Sequence, residues 1–169
     1  MGDADATPLR DTSGSRSAGR PRADAADARL AWYHLLQVSS RVIRELDRRL
    51  ELEHRISARE FDVLINLDGT PERGLRMTEL ANAAMLSSGG LTRLAGRLEE
   101  RGFVQRDQDP ADGRAFYAKL TERGRRLLAE ARVTHDAVVH DLFGAYLPAA
   151  DIDSMTRALA RVLGPDRRT

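Results

Sequence analysis

Apolar side chains recur along this chain mostly at helical spacing, interrupted once by a short region of alternation. From Ala25 to Glu53, the residues Leu35, Val38, Val42, Leu46 and Leu50 form a narrow stripe, which Trp32, Leu36 and Ile43 widen. So long a stripe on one helix needs a partner surface, which a second subunit can supply. Ser57-Ala58-Arg59-Glu60 has the pattern of a capping box, and Ile56 and Phe61 fit its hydrophobic staple. The helix that follows carries Phe61, Leu64, Ile65 and Leu67 inward and stops before Asp68-Gly69-Thr70-Pro71.

The next segment is denser in signals. Leu75–Met77 suits a short strand. Thr78 is expected to cap a helix over Glu79–Met85, with Leu80, Ala81 and Ala84 on one face. A turn near Met85–Ser88 leads to a second helix, capped by Ser87 or Ser88 and running to about Arg101. Its apolar stripe is Leu91, Leu94, Ala95 and Leu98; Gly89, Thr92, Arg93, Gly96, Arg97 and Glu100 lie opposite. Gly102 follows as a helix terminator. Phe103–Arg106 and Ala115–Leu120 alternate in part, which predicts a hairpin around the turn-rich Asp107–Arg114. Thr121 should cap a helix to about Tyr146, with Leu127, Leu128, Ala131, Val138, Leu142 and Phe143 on its apolar side. After Pro148, a last helix over Ala149–Leu163 turns Ile152, Met155, Leu159 and Val162 or Leu163 inward and stops at Gly164-Pro165.

Two helices joined by a turn and followed by a charged hairpin make a winged helix-turn-helix. The second helix would enter a major groove, and the hairpin tip would reach the backbone or the minor groove. The fold class expected is mainly α, about six helices with a small antiparallel wing. The partner is then duplex DNA. Arg93 and Arg97 are the candidate base or phosphate contacts, because a guanidinium can fork onto guanine O6 and N7. Ser87, Ser88 and Thr92 can donate to phosphates, one serine being spent on the cap. Thr78, Gly89 and Gly90 complete the helical part of the candidate set, and Asp112 and Arg114 supply the hairpin tip. The competing reading of these residues is a solvated face with ordinary caps, and the competing function is a winged-helix module that binds protein.

The ordered set MTELA, LTRLAGRLEERGFVQR, DPADGR and LTERGRRLL resembles the MarR family of bacterial transcription regulators, over residues 30–163. In that family the wing usually reads Asp-Pro-x-Asp-Arg-Arg. Here Gly113 replaces the first arginine, while Asp112, Arg114, Leu120 and Thr121 keep the spacing. The resemblance implies a two-fold homodimer built from the first and last two helices (residues 25–54 and 121–164) around a DNA-binding lobe at 56–121. It further implies a pseudo-palindromic operator, repression by competition with RNA polymerase, and a small aromatic or phenolic effector between the dimer helices and the lobe. Arg114 would be the minor-groove arginine, held by Asp112. Trp32 is the candidate ligand contact, with a packing or interface role as its alternative.

Composition narrows the remaining options. The chain has 169 residues, which suits one domain, and with aromatics at 5% its core must be built of leucine, alanine and valine. A net charge of +1 makes any DNA reading depend on where the arginines lie. With no cysteine there are no disulfides, thiolate metal sites or thiol redox sensing. No apolar run reaches the ~18 residues a membrane span needs, and no secretory h-region is visible, so a cytoplasmic, nucleoid-associated protein is expected. Residues 1–24 lack the apolar content to order themselves and read as a disordered tail, or else as an arm carrying Arg16, Arg20 and Arg22 to DNA.

Catalysis and metal binding find little support. His135 and His140 stand about 140° apart around a helix, and His34 and His54 are isolated, so no metal site is expected. Ser87-Ser88-Gly89-Gly90 lacks the nucleophile-elbow pattern, and no phosphate-binding glycine loop occurs. The expectation is a protein that is not an enzyme and needs no cofactor.

Overall fold

The carboxylate of Asp24 opens the first helix by accepting the N–H groups of Ala26 and Asp27, each at 2.8 Å. The structure is a computed structural model that describes residues 24–70, 72–110, 112–113 and 115–164. The expectations for Arg16, Arg20, Arg22 and Arg114 fall outside the described residues. Helix α1, Ala25–His54, runs one residue beyond the expected Glu53 and closes at Arg55, whose φ of 58° is left-handed. Only the C-terminal part of its stripe is in the core: Leu46 and Leu50 are buried, whereas Trp32, Leu35, Leu36, Val38 and Ile43 are exposed.

Helix α2, Ala58–Leu67, has the expected capping box: Glu60 N–H donates to Ser57 Oγ at 3.2 Å, and Ser57 N–H donates to Glu60 Oε2 at 2.8 Å. Ile56 and Phe61, both buried, close the staple. Strand β1, Leu75–Arg76, then hands directly to α3, Met77–Ala83. The start of α3 corrects the expectation of a Thr78 cap. Glu79 reaches back to accept the N–H of Arg76 at 3.0 Å, so the helix begins two residues earlier and Thr78 lies inside it. It also ends earlier: Met85 adopts a left-handed φ of 53°, with Leu86 N–H closing on Ala81 O at 2.8 Å.

Helix α4, Ser88–Glu100, buries Leu91, Leu94, Ala95 and Leu98, and its three leucines join the core cluster that includes Leu50, Ile56, Leu64 and Leu80. Its end is tied as Gly102 leads one to expect: φ is 72°, and Phe103 N–H donates to Leu98 O at 2.9 Å. That bond keeps Phe103 out of the sheet, so β2 is Val104–Gln108 and pairs antiparallel with β3, Phe116–Leu120. The sheet order is β1-β3-β2, with Arg76 opposite Tyr117 and Arg106 opposite Ala118. Helix α5, Glu122–Leu142, stops four residues short of Tyr146 because Phe143 leaves the helical region, and a 3-10 turn follows at Gly144–Tyr146. Helix α6 spans Ala149–Leu163 as expected, yet none of its residues is buried within the chain; Val162 and Leu163 are exposed.

The junction between wing and α5 is closely packed. Thr121 caps α5 by accepting Gly124 N–H at 3.0 Å, donates its hydroxyl to Gly102 O at 2.7 Å, and donates its own N–H to Phe103 O at 3.0 Å. A Cβ at Gly124 would fall 2.0 Å from that same Phe103 oxygen. Helix propensity alone says that Gly124→Ala stabilises by ~1 kcal/mol. Close approach says the reverse, and we expect a loss of ~1–3 kcal/mol from overpacking in chemical denaturation. A more stable variant would show that α5 does not press on Phe103.

Candidate nucleic-acid interface

Because its apolar stripe points inward, α4 turns Ser88, Gly89, Thr92, Arg93 and Arg97 outward, and all five are exposed. Ser87 is the cap, accepting Gly90 N–H at 3.2 Å, which leaves Ser88 as the first helical residue. Thr92 Oγ donates to Ser88 O at 2.8 Å, so its proton is engaged within the helix. A Cβ at Gly89 or Gly96 would meet nothing within 4 Å. Packing within the chain does not require glycine there, and the outer face is left with bare backbone that a second surface can approach closely.

The two arginines differ. Arg93 makes no hydrogen bond or ion pair among the described residues. Arg97 is tied back to α2: its Nε donates to Glu60 Oε1 at 3.4 Å, while 55% of its side chain remains exposed. The same carboxylate oxygen is 3.9 Å from Arg101 Nη1, and Arg101 donates to Arg55 O at 2.6 Å with its guanidinium over the Phe103 ring.

A cleft of about 610 Å³ separates α4 from the wing, and it brings together Thr78, Thr92 and Asp112 with Arg76, Glu99 and Arg106. Ser87, Ser88, Gly89, Gly90, Arg93 and Arg97 lie outside this cleft. Arg76 and Arg106 were not singled out from the sequence. Arg106 is held by Glu99, Nε to Oε2 at 2.7 Å. Its place on the sheet face toward α4 was implicit in the strand alternation, but its partner was not. Arg76 donates from Nε to the Tyr117 hydroxyl at 2.8 Å and from Nη2 to the buried Asp109 at 2.9 Å. The Tyr117 hydrogen bond, followed by nearby negative charge, raises the Arg76 pKa above the ordinary guanidinium value. Arg73 also stacks on Tyr117, 4.4 Å from the ring centre.

At the wing tip, Asp109 N–H donates to Ala115 O at 2.8 Å, Ala115 N–H donates to Asp112 O at 2.9 Å, and the Gln108 amide donates to Gly113 O. Gly113 does not take up left-handed backbone, so the turn itself does not demand glycine at that position. Trp32 is 60% exposed and is not among the residues around the apolar cleft of about 420 Å³ that Leu35, Val38, Leu142, Phe143 and Tyr146 enclose. His54, isolated in the sequence, lies 2.8 Å from Thr134 Oγ, and His135 stacks on Phe61 with ring centres 4.9 Å apart.

Residues 56–115, the lobe that carries this face, match the model of the MarR family. Sco3205 of Streptomyces coelicolor, a MarR family transcriptional regulator solved in complex with DNA, is 30% identical, with a TM-score of 0.74 over 86% of this chain and 93% of that one. The chain belongs to the MarR family. The transcriptional repressor MprA of Escherichia coli strain K12 is 26% identical over 128 residues, which is 76% of this chain and 72% of the repressor. CouR of Rhodococcus jostii RHA1, solved bound to p-coumaroyl-CoA, is 26% identical, with a TM-score of 0.70 over 82% of this chain and 95% of that one. The resemblance carried by MTELA, LTRLAGRLEERGFVQR, DPADGR and LTERGRRLL is therefore borne out. As a MarR protein this chain is a DNA-binding transcriptional regulator and not an enzyme. No described helix is long and apolar enough to cross a membrane.

In this MarR fold, Arg76 anchors the wing to the start of α3. Arg76→Met should leave the helices folded and raise amide hydrogen exchange at Asp109 and Tyr117 by about tenfold, as a local opening. Unchanged exchange at both amides would show that the wing is held elsewhere.

Proposed function

We propose that this MarR protein is a promoter-bound repressor acting as a two-fold homodimer. In this reading the outer face of α4 meets base edges in successive major grooves, about 34–36 Å apart, on a pseudo-palindromic operator. Repression is competition with RNA polymerase for the promoter. The observation that carries the reading is the inward stripe of Leu91, Leu94, Ala95 and Leu98, which leaves Arg93, Arg97 and the bare backbone at Gly89 and Gly96 facing out. Ser87, Ser88 and Thr78 take the phosphate side of that contact, while Thr92 and Gly90, whose donors go to Ser88 O and Ser87 Oγ, shape the surface beside them. Arg114, with Asp112 two residues before it, takes the minor groove or backbone at the wing. The repressor name of MprA and the DNA complex of Sco3205 support the same reading.

The exposed apolar residues of the first half of α1 and of α6 suit a second copy of the chain. An effector, small and aromatic or phenolic, relieves repression by favouring one spacing of the two α4 helices over the other. CouR, solved bound to p-coumaroyl-CoA, supports a ligand-responsive reading. Here the apolar cleft between α1 and α5 offers the volume, and Trp32 lies next in sequence to Ala31, one of its lining residues. The site of action is then the nucleoid, in the cytoplasm.

Gel shifts on a duplex selected from a random pool by the wild-type protein test the face. Arg93→Ala should cost about 1–3 kcal/mol of binding with unchanged circular dichroism; full affinity in both Arg93→Ala and Arg97→Ala would refute the assignment. Arg114→Ala should weaken binding evenly across sequences and reduce the slope of log K against log salt by about 0.9. A loss confined to one base position would argue against a phosphate or minor-groove role for Arg114.

A further inference from the structure

Glu60 has two tasks that its two oxygens divide. Oε2 completes the capping box, accepting Ser57 N–H at 2.8 Å and Ser57 Oγ–H at 3.0 Å. Oε1 points the other way, across to α4, where Arg97 Nε is 3.4 Å away and Arg101 Nη1 is 3.9 Å away. The side chain is only 8% exposed. A carboxylate so buried is rare without cations to hold it. The capping box does not explain the charge, because glutamine serves at that position as well as glutamate.

The two cations it meets are held differently. Arg101 is locked on three sides, by Glu60, by Arg55 O and by the Phe103 ring. Arg97 is touched only at Nε; neither of its Nη groups makes a hydrogen bond among the described residues. The guanidinium is thus held at Nε, while 55% of the side chain stays exposed and the fork is left for another partner. Arg93, one turn earlier on the same face, has no such support.

We propose that Glu60 is a positioning residue for Arg97, a buried carboxylate on α2 that braces the recognition-face guanidinium and fixes where its free fork can reach. The inference rests on the recognition-face reading above. The brace has two consequences for binding. It removes rotamer freedom that a free arginine would have to lose on meeting a guanine edge. It also offsets one positive charge that would otherwise attract any phosphate, whatever the sequence. Both raise the ratio of specific to non-specific affinity, and neither requires Glu60 to touch DNA.

The test is a double-mutant cycle on Glu60→Gln and Arg97→Ala, with affinity measured on the selected duplex and on poly(dI-dC) at matched salt. Glutamine keeps the cap and removes the charge. Glu60→Gln is expected to lower the specific-to-non-specific ratio about tenfold, within the range for one good base contact, and to steepen the salt slope on poly(dI-dC). Arg97→Ala should lower the ratio similarly, and the double variant should match Arg97→Ala. An unchanged ratio in Glu60→Gln overturns the proposal. So does a ratio unmoved by Arg97→Ala, or an equal fall when Glu60→Gln is added to Arg97→Ala, since Glu60 would then act through something else. Arg93→Ala reports on the recognition face separately, so the two readings can fail independently. If Glu60→Gln is too unstable to assay, Nε–H exchange in the wild-type protein decides. It should be slower for Arg97 than for Arg93, and equal rates overturn the brace.

Discussion

A helix can bury only one side, and in this chain that constraint sets the rest. Leu91, Leu94, Ala95 and Leu98 are all buried, so the rotation of α4 about its own axis is fixed by the core beneath it. Truncating one such leucine to alanine typically costs 2–5 kcal/mol, a large share of the stability of a domain this size. The ends are held as firmly as the side. Ser87 caps the start, while the Gly102–Phe103 turn, with Thr121 bonded across it and Gly124 pressed against it, ties the end to both wing and α5. The outer face is therefore presented by default: whatever occupies Thr92, Arg93 and Arg97 is displayed by packing that these residues do not make.

Around that face the chain distributes its charge by pairing. Arg76 is matched by Asp109, Arg106 by Glu99 and Lys119 by Asp107, each within or beside the wing. The first two pairs hold the hairpin against the start of α3 and against α4, the third ties its two strands together, and all three withdraw their cations from general attraction to phosphate. With a net charge of only +1, the chain cannot rely on bulk attraction to a polyanion. On the outer face of α4, Arg93 and the exposed end of Arg97 are the cations left to meet a second surface. The Asp107 carboxyl is held below its usual value chiefly by its hydrogen bond from Lys119 and then from Gln105, so this pair persists well into mildly acid conditions.

What could be read from sequence follows the range of the interaction. The α4 stripe, the Ser57–Glu60 box, the Gly102 terminator and the Thr121 cap each depend on residues within a turn or two, and each is where the pattern placed it. The start of α3 went to Arg76 in place of Thr78 because β1 ends there and Glu79 is correctly spaced to cap the earlier N–H; two local signals competed and the one with tertiary support won. The Glu60–Arg97 contact joins residues 37 apart, and Arg76–Asp109 joins residues 33 apart. No periodicity announces such pairs, since a charged residue on a helix face looks the same whether it meets solvent or a carboxylate. The apolar stripes of α1 and α6 were equally visible, yet a stripe records that something covers it and not what.

Helix α1 links the outer surface to that core. It is 30 residues long, ~45 Å from end to end at helical rise, with no proline or glycine inside it to act as a joint. Its first half carries the exposed Trp32, Leu35, Leu36 and Val38; its last turns carry Leu46 and Leu50, which form part of the core floor shared with the α4 leucines. The far end is pinned to α5, where His54 meets Thr134 Oγ at 2.8 Å and that hydroxyl donates to Glu53 at 2.7 Å. A stiff rod fixed at one end transmits a change of angle better than a jointed one. Whatever covers the first half of α1, or enters the cleft it shares with α5, can bias the position of α4 through the core at Leu46 and Leu50, through the Asp47 contact with Ala58 N–H of α2, and through this pin. A close-packed floor answers such a push by shifting between discrete packings and not by gradual bending.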